Sequence, residues 1–149
     1  MSCEFGSRVR VTLFGQSHGE AVGAVLDGLP AGEAIDLDKA QSFLHRRAPG
    51  QAHATARVES DIPHVLSGLT DGHTCGAPLC AVIENHGANS RDYDALRDIP
   101  RPMHADYPVR VKFHGQADLR GGGMYSARLT AALCFAGALA ISVLVTYAF

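Results

Sequence analysis

Arg8-Val9-Arg10-Val11-Thr12-Leu13-Phe14-Gly15-Gln16-Ser17-His18-Gly19 is the stretch whose reading decides the fold. Polar and apolar residues alternate from Arg8 to Phe14, the period of a strand that buries one face. Gly15 to Gly19 reads as the loop that follows. The apolar run at residues 21–26 predicts a second strand, ended by Asp27-Gly28 and Pro30.

Further along, Asp36 is placed to cap a helix over residues 37–46. Leu37, Ala40, Phe43 and Leu44 recur at helical spacing, and Ala48-Pro49-Gly50 stops the run. Strands are predicted at residues 65–69 and 78–83, the second richer in apolar residues. Residues 84–103 are polar and punctuated by Asn, Gly and Pro, which predicts a long functional loop. Residues 113–123 lead into a helix from about Ser126.

The chain has 149 residues, enough for one domain with a real core. Apolar residues at 46% against 19% charged mark a globular chain. A formal net charge of −2 gives no overall attraction to nucleic acid or to an acidic membrane. Eleven arginines stand against two lysines, Lys39 and Lys112, and arginine is the better fork for phosphate and carboxylate. The first residues lack the apolar core of a secretory leader, so Cys3, Cys75, Cys80 and Cys134 read as free thiols of a reducing compartment. His73, Cys75, Cys80 and His86 match no closed zinc spacing, and no metal site is expected.

Charge ends at Arg128. Residues 130–149 are apolar and about the length of a bilayer span. A helix buried in a larger protein reads the same way, and residues 141–145 are β-branched enough for a strand.

Two loops carry the chemistry. Gly15-Gln16-Ser17-His18-Gly19 sets an imidazole between glycines, and Asp118-Leu119-Arg120-Gly121-Gly122-Gly123 sets an arginine and three glycines before a helix. Glycines let backbone N–H groups approach an anion, and a helix start adds its positive end. An imidazole beside such a loop points to phosphate chemistry.

Phe14-Gly15-Gln16-Ser17-His18-Gly19, Asp27-Gly28-Leu29-Pro30, Arg46-Arg47-Ala48-Pro49-Gly50-Gln51, Leu66-Ser67-Gly68, Ile83-Glu84-Asn85, Ser90-Arg91-Asp92-Tyr93, Arg101-Pro102-Met103-His104-Ala105-Asp106-Tyr107, Arg120-Gly121-Gly122-Gly123 and Ser126-Ala127-Arg128 occur in one order. That ordered series resembles chorismate synthase. The resemblance covers residues 5–137. It divides the chain into a family-like portion, 1–137, and a divergent apolar tail, 138–149.

The resemblance implies an incomplete α+β, β-α-β sandwich of the chorismate synthase type. It implies elimination of phosphate from 5-enolpyruvylshikimate 3-phosphate to give chorismate, with reduced FMN, in a cytoplasmic homotetramer. NADPH enters in members that reduce their own flavin. By position, His18 corresponds to the acid that protonates the departing phosphate, and His104 to the one that serves the reduced flavin. Arg46, Arg47 and Arg120 correspond to substrate-binding arginines, and Arg47 also to an NADPH contact. Gly121, Gly122, Gly123, Met124, Tyr125 and Ser126 correspond to the flavin-binding loop, and Asp106 is expected to orient His104 or its turn. The two imidazoles are expected to converge on one pocket. A non-catalytic FMN- or phosphate-binding fragment is the alternative reading, and a membrane-associated chain is the second.

Several residues depart from the family pattern. Gln16 stands where glutamate is usual, Met103 where glycine is usual, Met124 where arginine is usual, Tyr125 where a serine is usual and His53 where arginine is usual. If position 103 takes a positive φ, methionine there is strained.

Overall fold

The computed structural model describes residues 3–47, 59–89, 91, 93 and 99–147. The alternating run at the start forms β2 (Arg10–Gly15), preceded by the two-residue β1 (Glu4–Phe5), and the apolar run forms β3 (Ala21–Asp27). Helix α1 (Leu37–His45) begins where expected, with the Asp36 carboxylate accepting from the Lys39 backbone N–H at 2.9 Å. Its stop at Ala48-Pro49-Gly50, like His53, lies outside the described residues. There follow β4 (Pro63–Ser67), the short pair β5 (Leu69–Thr70) and β6 (His73–Thr74), and β7 (Leu79–Glu84). The strand expected over residues 65–69 is therefore split. Gly68 takes φ +89° between β4 and β5, and the ladder to β7 slips between Val65 and Ser67.

Five strands pair antiparallel in the order β1-β2-β3-β7-β4. Their register explains the core. Val11 lies opposite Leu26, which lies opposite Leu79; Leu13, Ala24 and Ala81 make the next row, and Gly15, Val22 and Ile83 the third. Alternate residues share a face, so these rows form one apolar wall. Helix α3 (Thr130–Tyr147) packs on it and α1 packs against α3, so that Ala40, Leu44, Phe135 and Leu139 join the strand residues in one buried cluster.

Helix α3 runs through the 137/138 boundary without a break and includes Ile141 to Val145, which are helical and not a strand. Buried Ala131, Ala132, Phe135, Ala136, Leu139 and Val143 recur on one side of it. That packing outweighs the β-branched preference of a few residues. The segment from Ala127 to Val145 is long and apolar enough to cross a bilayer, yet half of it is buried inside the chain.

One helix escaped the sequence reading. Helix α2 (Asp106–Lys112) carries Pro108 in its first turn, where the backbone N–H has no helical partner to lose. A proline in a short polar stretch reads as a breaker, which hid it. Met103, just before α2, takes φ +62° with its side chain fully exposed. The strain expected at that position is present.

Candidate functional site

The end of β2 delivers Ser17 and His18 into a loop held from two sides. Towards residues 120–123, the Ser17 hydroxyl donates to the Arg120 carbonyl at 3.2 Å, and the Ser17 N–H donates to the Gly123 carbonyl at 3.2 Å. Ser17 is buried as a result. Gly121, at φ +67°, lies so close that a Cβ there would sit 2.4 Å from His18 Cδ2 and 2.6 Å from His18 Nε2. Only glycine permits this approach.

The glycine loop does not form the open anion cradle expected of it. The N–H groups of Gly122 and Gly123 both donate to the Arg120 carbonyl, at 2.8 and 3.0 Å. A Cβ at Gly123 would sit 2.1 Å from the Asp118 carbonyl oxygen. The helix start beyond it is occupied too, since the Ser126 hydroxyl accepts from the Arg128 N–H at 3.2 Å. These glycines serve loop closure, and the task of meeting an anion falls to side chains.

Those side chains surround a cavity of about 250 Å³ lined by His18, Arg47, Asp61, Tyr93, Ser126 and Arg128, among others. His18 meets the Tyr93 ring edge-on at 4.8 Å. Asp61, only 4% exposed, pairs with Arg47 through one oxygen and with Arg128 through the other. The Arg128 guanidinium also donates to Asn85 Oδ1 at 2.8 Å and to the Glu84 carbonyl at 3.1 Å. Two guanidiniums share the Asp61 carboxylate beside the imidazole, and a second carboxylate, Glu59, lines the same cavity while accepting from the His86 and Gly87 backbone N–H groups at 3.0 Å. Guanidinium forks of this kind suit a phosphate or carboxylate ligand.

The expected site residues divide. His18, Arg47, Gly121 and Ser126 line this cavity. Arg46 does not line it; it is exposed at the end of α1, with its guanidinium 5.0 Å above the Phe43 ring. Arg120 is half-exposed in a two-bond pair with Asp118, at 2.9 and 2.7 Å. That pairing, with the nearby His18 contributing less, holds the Asp118 carboxyl below its usual range. Met124 lines a groove of about 610 Å³ and, with Tyr125, a third cavity of about 220 Å³. Gln16 lines both of those, so two departures from the family pattern are close neighbours.

His104 is exposed and lines none of these three cavities; it directly follows the left-handed Met103 and precedes α2. Its link to the His18 cavity is indirect. Arg101 places its guanidinium 5.3 Å above the Tyr93 ring, and its carbonyl accepts from the His104 N–H at 3.4 Å. Asp106 holds Arg101, with bonds of 2.7 and 2.8 Å to the guanidinium and 3.0 Å to the backbone N–H. The Arg101 bonds pull the Asp106 carboxyl well below its ordinary value despite burial. Asp106 thus fixes the turn that carries His104.

Asn85 and Arg128 stand in the ordered motifs Ile83-Glu84-Asn85 and Ser126-Ala127-Arg128 but had no role assigned to them; Asp61 had no comparable mark.

An antiparallel sheet covered by α3, with α1 packed on that helix and an imidazole and paired guanidiniums lining one charged cavity, defines an α+β chain. The chorismate synthase family model matches residues 9–148. The chain is 49% identical to chorismate synthase of Campylobacter fetus over 134 residues, covering 90% of this chain and 37% of that protein. It is 43% identical to the enzyme of Korarchaeum cryptofilum, over 94% of this chain and 39% of that one. A crystal structure of chorismate synthase superposes with a TM-score of 0.66 at 27% identity, covering 95% of this chain and 35% of that one. The chain belongs to the chorismate synthase family. It spans less than half the length of these relatives.

Proposed function

We propose that the chain supplies the phosphate-handling wall of a chorismate synthase, acting on 5-enolpyruvylshikimate 3-phosphate. The observation that carries this reading is His18 facing the same cavity as Arg47 and the buried Arg128. In the 1,4-elimination the C–O bond to phosphate breaks with its electron pair leaving on the phosphate, and the ring rearranges its double bond. A C–H bond at the far end of the allylic system breaks to supply the new C=C pair, its proton passing to a base not assigned among the described residues. A proton from His18 neutralises the charge developing on the phosphate oxygen, and an acid near neutral pKa does this best. Arg47 and Arg128 hold the departing dianion, stabilising charge where it accumulates.

Reduced FMN belongs to the reaction as its cofactor. The Gly121–Gly123 turn does not fit it as an open cradle, since the N–H groups of Gly122 and Gly123 and the space beside Gly121 and Gly123 are taken by the chain itself. The cavity of about 250 Å³ lies below the ~300–1,000 Å³ of ordinary small-molecule sites, whereas the groove of about 610 Å³ lined by Gln16 and Met124 lies within that range. In this reading the first cavity takes the phosphate and its proton donor. A cytoplasmic homotetramer, with α3 as a core helix, completes this reading.

A second reading, a phosphate-binding unit without turnover, is favoured by the placement of His104 outside the cavity. Anaerobic assay of chorismate formation with reduced FMN separates the two. Turnover that disappears in His18→Ala supports the first. Saturable phosphate-induced shifts of the His18 NMR signals without turnover support the second. Absence of both overturns the assignment of this cavity.

A further inference from the structure

The His18 loop is held from its second side by one residue. Asn85, just past the end of β7, donates from Nδ2 to the Gln16 carbonyl and to the Gly19 carbonyl, each at 2.9 Å. These two carbonyls bracket Ser17 and His18. The Asn85 backbone N–H adds a bond to the Glu20 carbonyl at 2.9 Å. Its Oδ1 accepts from Arg128 Nε at 2.8 Å, and Arg128 in turn is paired with the buried Asp61.

The orientation of this amide follows from its partners. Carbonyls only accept and a guanidinium only donates, so the nitrogen must face the loop and the oxygen must face Arg128. Both amide hydrogens and the oxygen are used. No hydroxyl or carboxylate can meet two carbonyls and one guanidinium in this way. Asn85 is one of the few groups able to connect an acceptor-rich loop to a donor-rich cluster.

We propose that Asn85 is a positioning residue for His18, coupling the imidazole loop to the Arg128–Asp61–Arg47 cluster so that acid and anion-binding groups keep one geometry. The proposal rests on the reading of His18 as proton donor. It assigns Asn85 no contact with substrate. Its task is to present two donors to the loop, which distinguishes it from a residue that merely satisfies Arg128.

Two variants separate those roles. Asn85→Asp keeps the shape and the acceptor for Arg128 but turns two donors into acceptors facing carbonyls. Asn85→Ala removes both functions without adding charge. Hydrogen exchange of the Ser17 and Gly19 amides in the full chain is read against the amides of Val22 to Leu26 in the same sample. Both variants are expected to exchange about tenfold or more faster at Ser17 and Gly19 relative to β3, with the His18 ring signals shifted from their Tyr93-packed positions. Rescue by Asn85→Asp, with Ser17 and Gly19 within about twofold of the parent, would reduce Asn85 to a structural partner of Arg128 and overturn the proposal. Acceleration spread evenly over the loop and β3 in both variants would overturn it as well. No substrate or phosphate is present in this experiment, so its failure is independent of the failure of the elimination reading.

Discussion

Asp61→Asn is the most informative single change. Asp61 and Arg128 are each about 5% exposed, and the carboxylate is the one anionic partner of that guanidinium among the described ion pairs. Asparagine preserves size, tolerates the φ of +48° at this position and keeps one acceptor, so backbone strain is not introduced. What is lost is the charge that compensates two guanidiniums. Breaking a buried pair from one side typically costs about 3–5 kcal/mol, because the remaining charge stays desolvated. Arg128 retains its bonds to Asn85 and Glu84, and Arg47 can reach solvent, so the lower end of about 3 kcal/mol is expected. With a urea slope of about 2 kcal/mol/M, the unfolding midpoint falls by about 1.5 M. Arg128→Met in the Asp61→Asn background removes the stranded charge and recovers part of that loss. Urea titration followed by circular dichroism measures both. A midpoint shift corresponding to less than about 1 kcal/mol in Asp61→Asn would refute the claim that this cluster is a desolvated, mutually dependent unit.

Three further outcomes are expected. The Asp106 carboxyl is depressed in the folded chain by Arg101, so its stabilising contribution is present above about pH 4 and is lost as pH falls through the folded value; urea midpoints between pH 6 and 2 should show a shallower acid decline in Asp106→Asn, at a cost of about 2 kcal/mol near neutrality. Gly121→Ala places a methyl against the His18 ring and should destabilise by about 1–3 kcal/mol while displacing the His18 NMR signals, and unmoved signals would contradict the close approach. Met103→Gly relieves a left-handed, solvent-facing methionine and should raise stability by about 1 kcal/mol in the same titration; a loss of stability would argue against that backbone geometry.

Short-range chemistry was readable from the residues in order. Alternation in residues 8–14 and the apolar run of residues 21–26 give β2 and β3 because a strand repeats every two residues and the solvent boundary imposes polarity on one face. Asp36 announces α1 because a capping carboxylate acts within three residues of itself. The order of the motifs singled out His18, Arg47, Gly121 and Ser126 as candidates, and these four line one cavity. Helix α2 was not legible, since a proline signals a break unless its position in the first turn is already known.

Where groups meet across the chain was decided by the fold alone. Arg46 and Arg47 are neighbours in sequence, yet one lies over a phenylalanine at the surface and the other enters the cavity, because successive residues at a helix end point about 100° apart. His104, beside the left-handed Met103, is not among the residues lining that cavity. Asn85 and Arg128 are 43 residues apart, and Arg128 and Asp61 are 67 apart. Their bonds exist only once β7 pairs with β3 and α3 packs on the sheet. Local propensity and patterning act over a few residues, whereas a buried charge finds its partners only through tertiary packing.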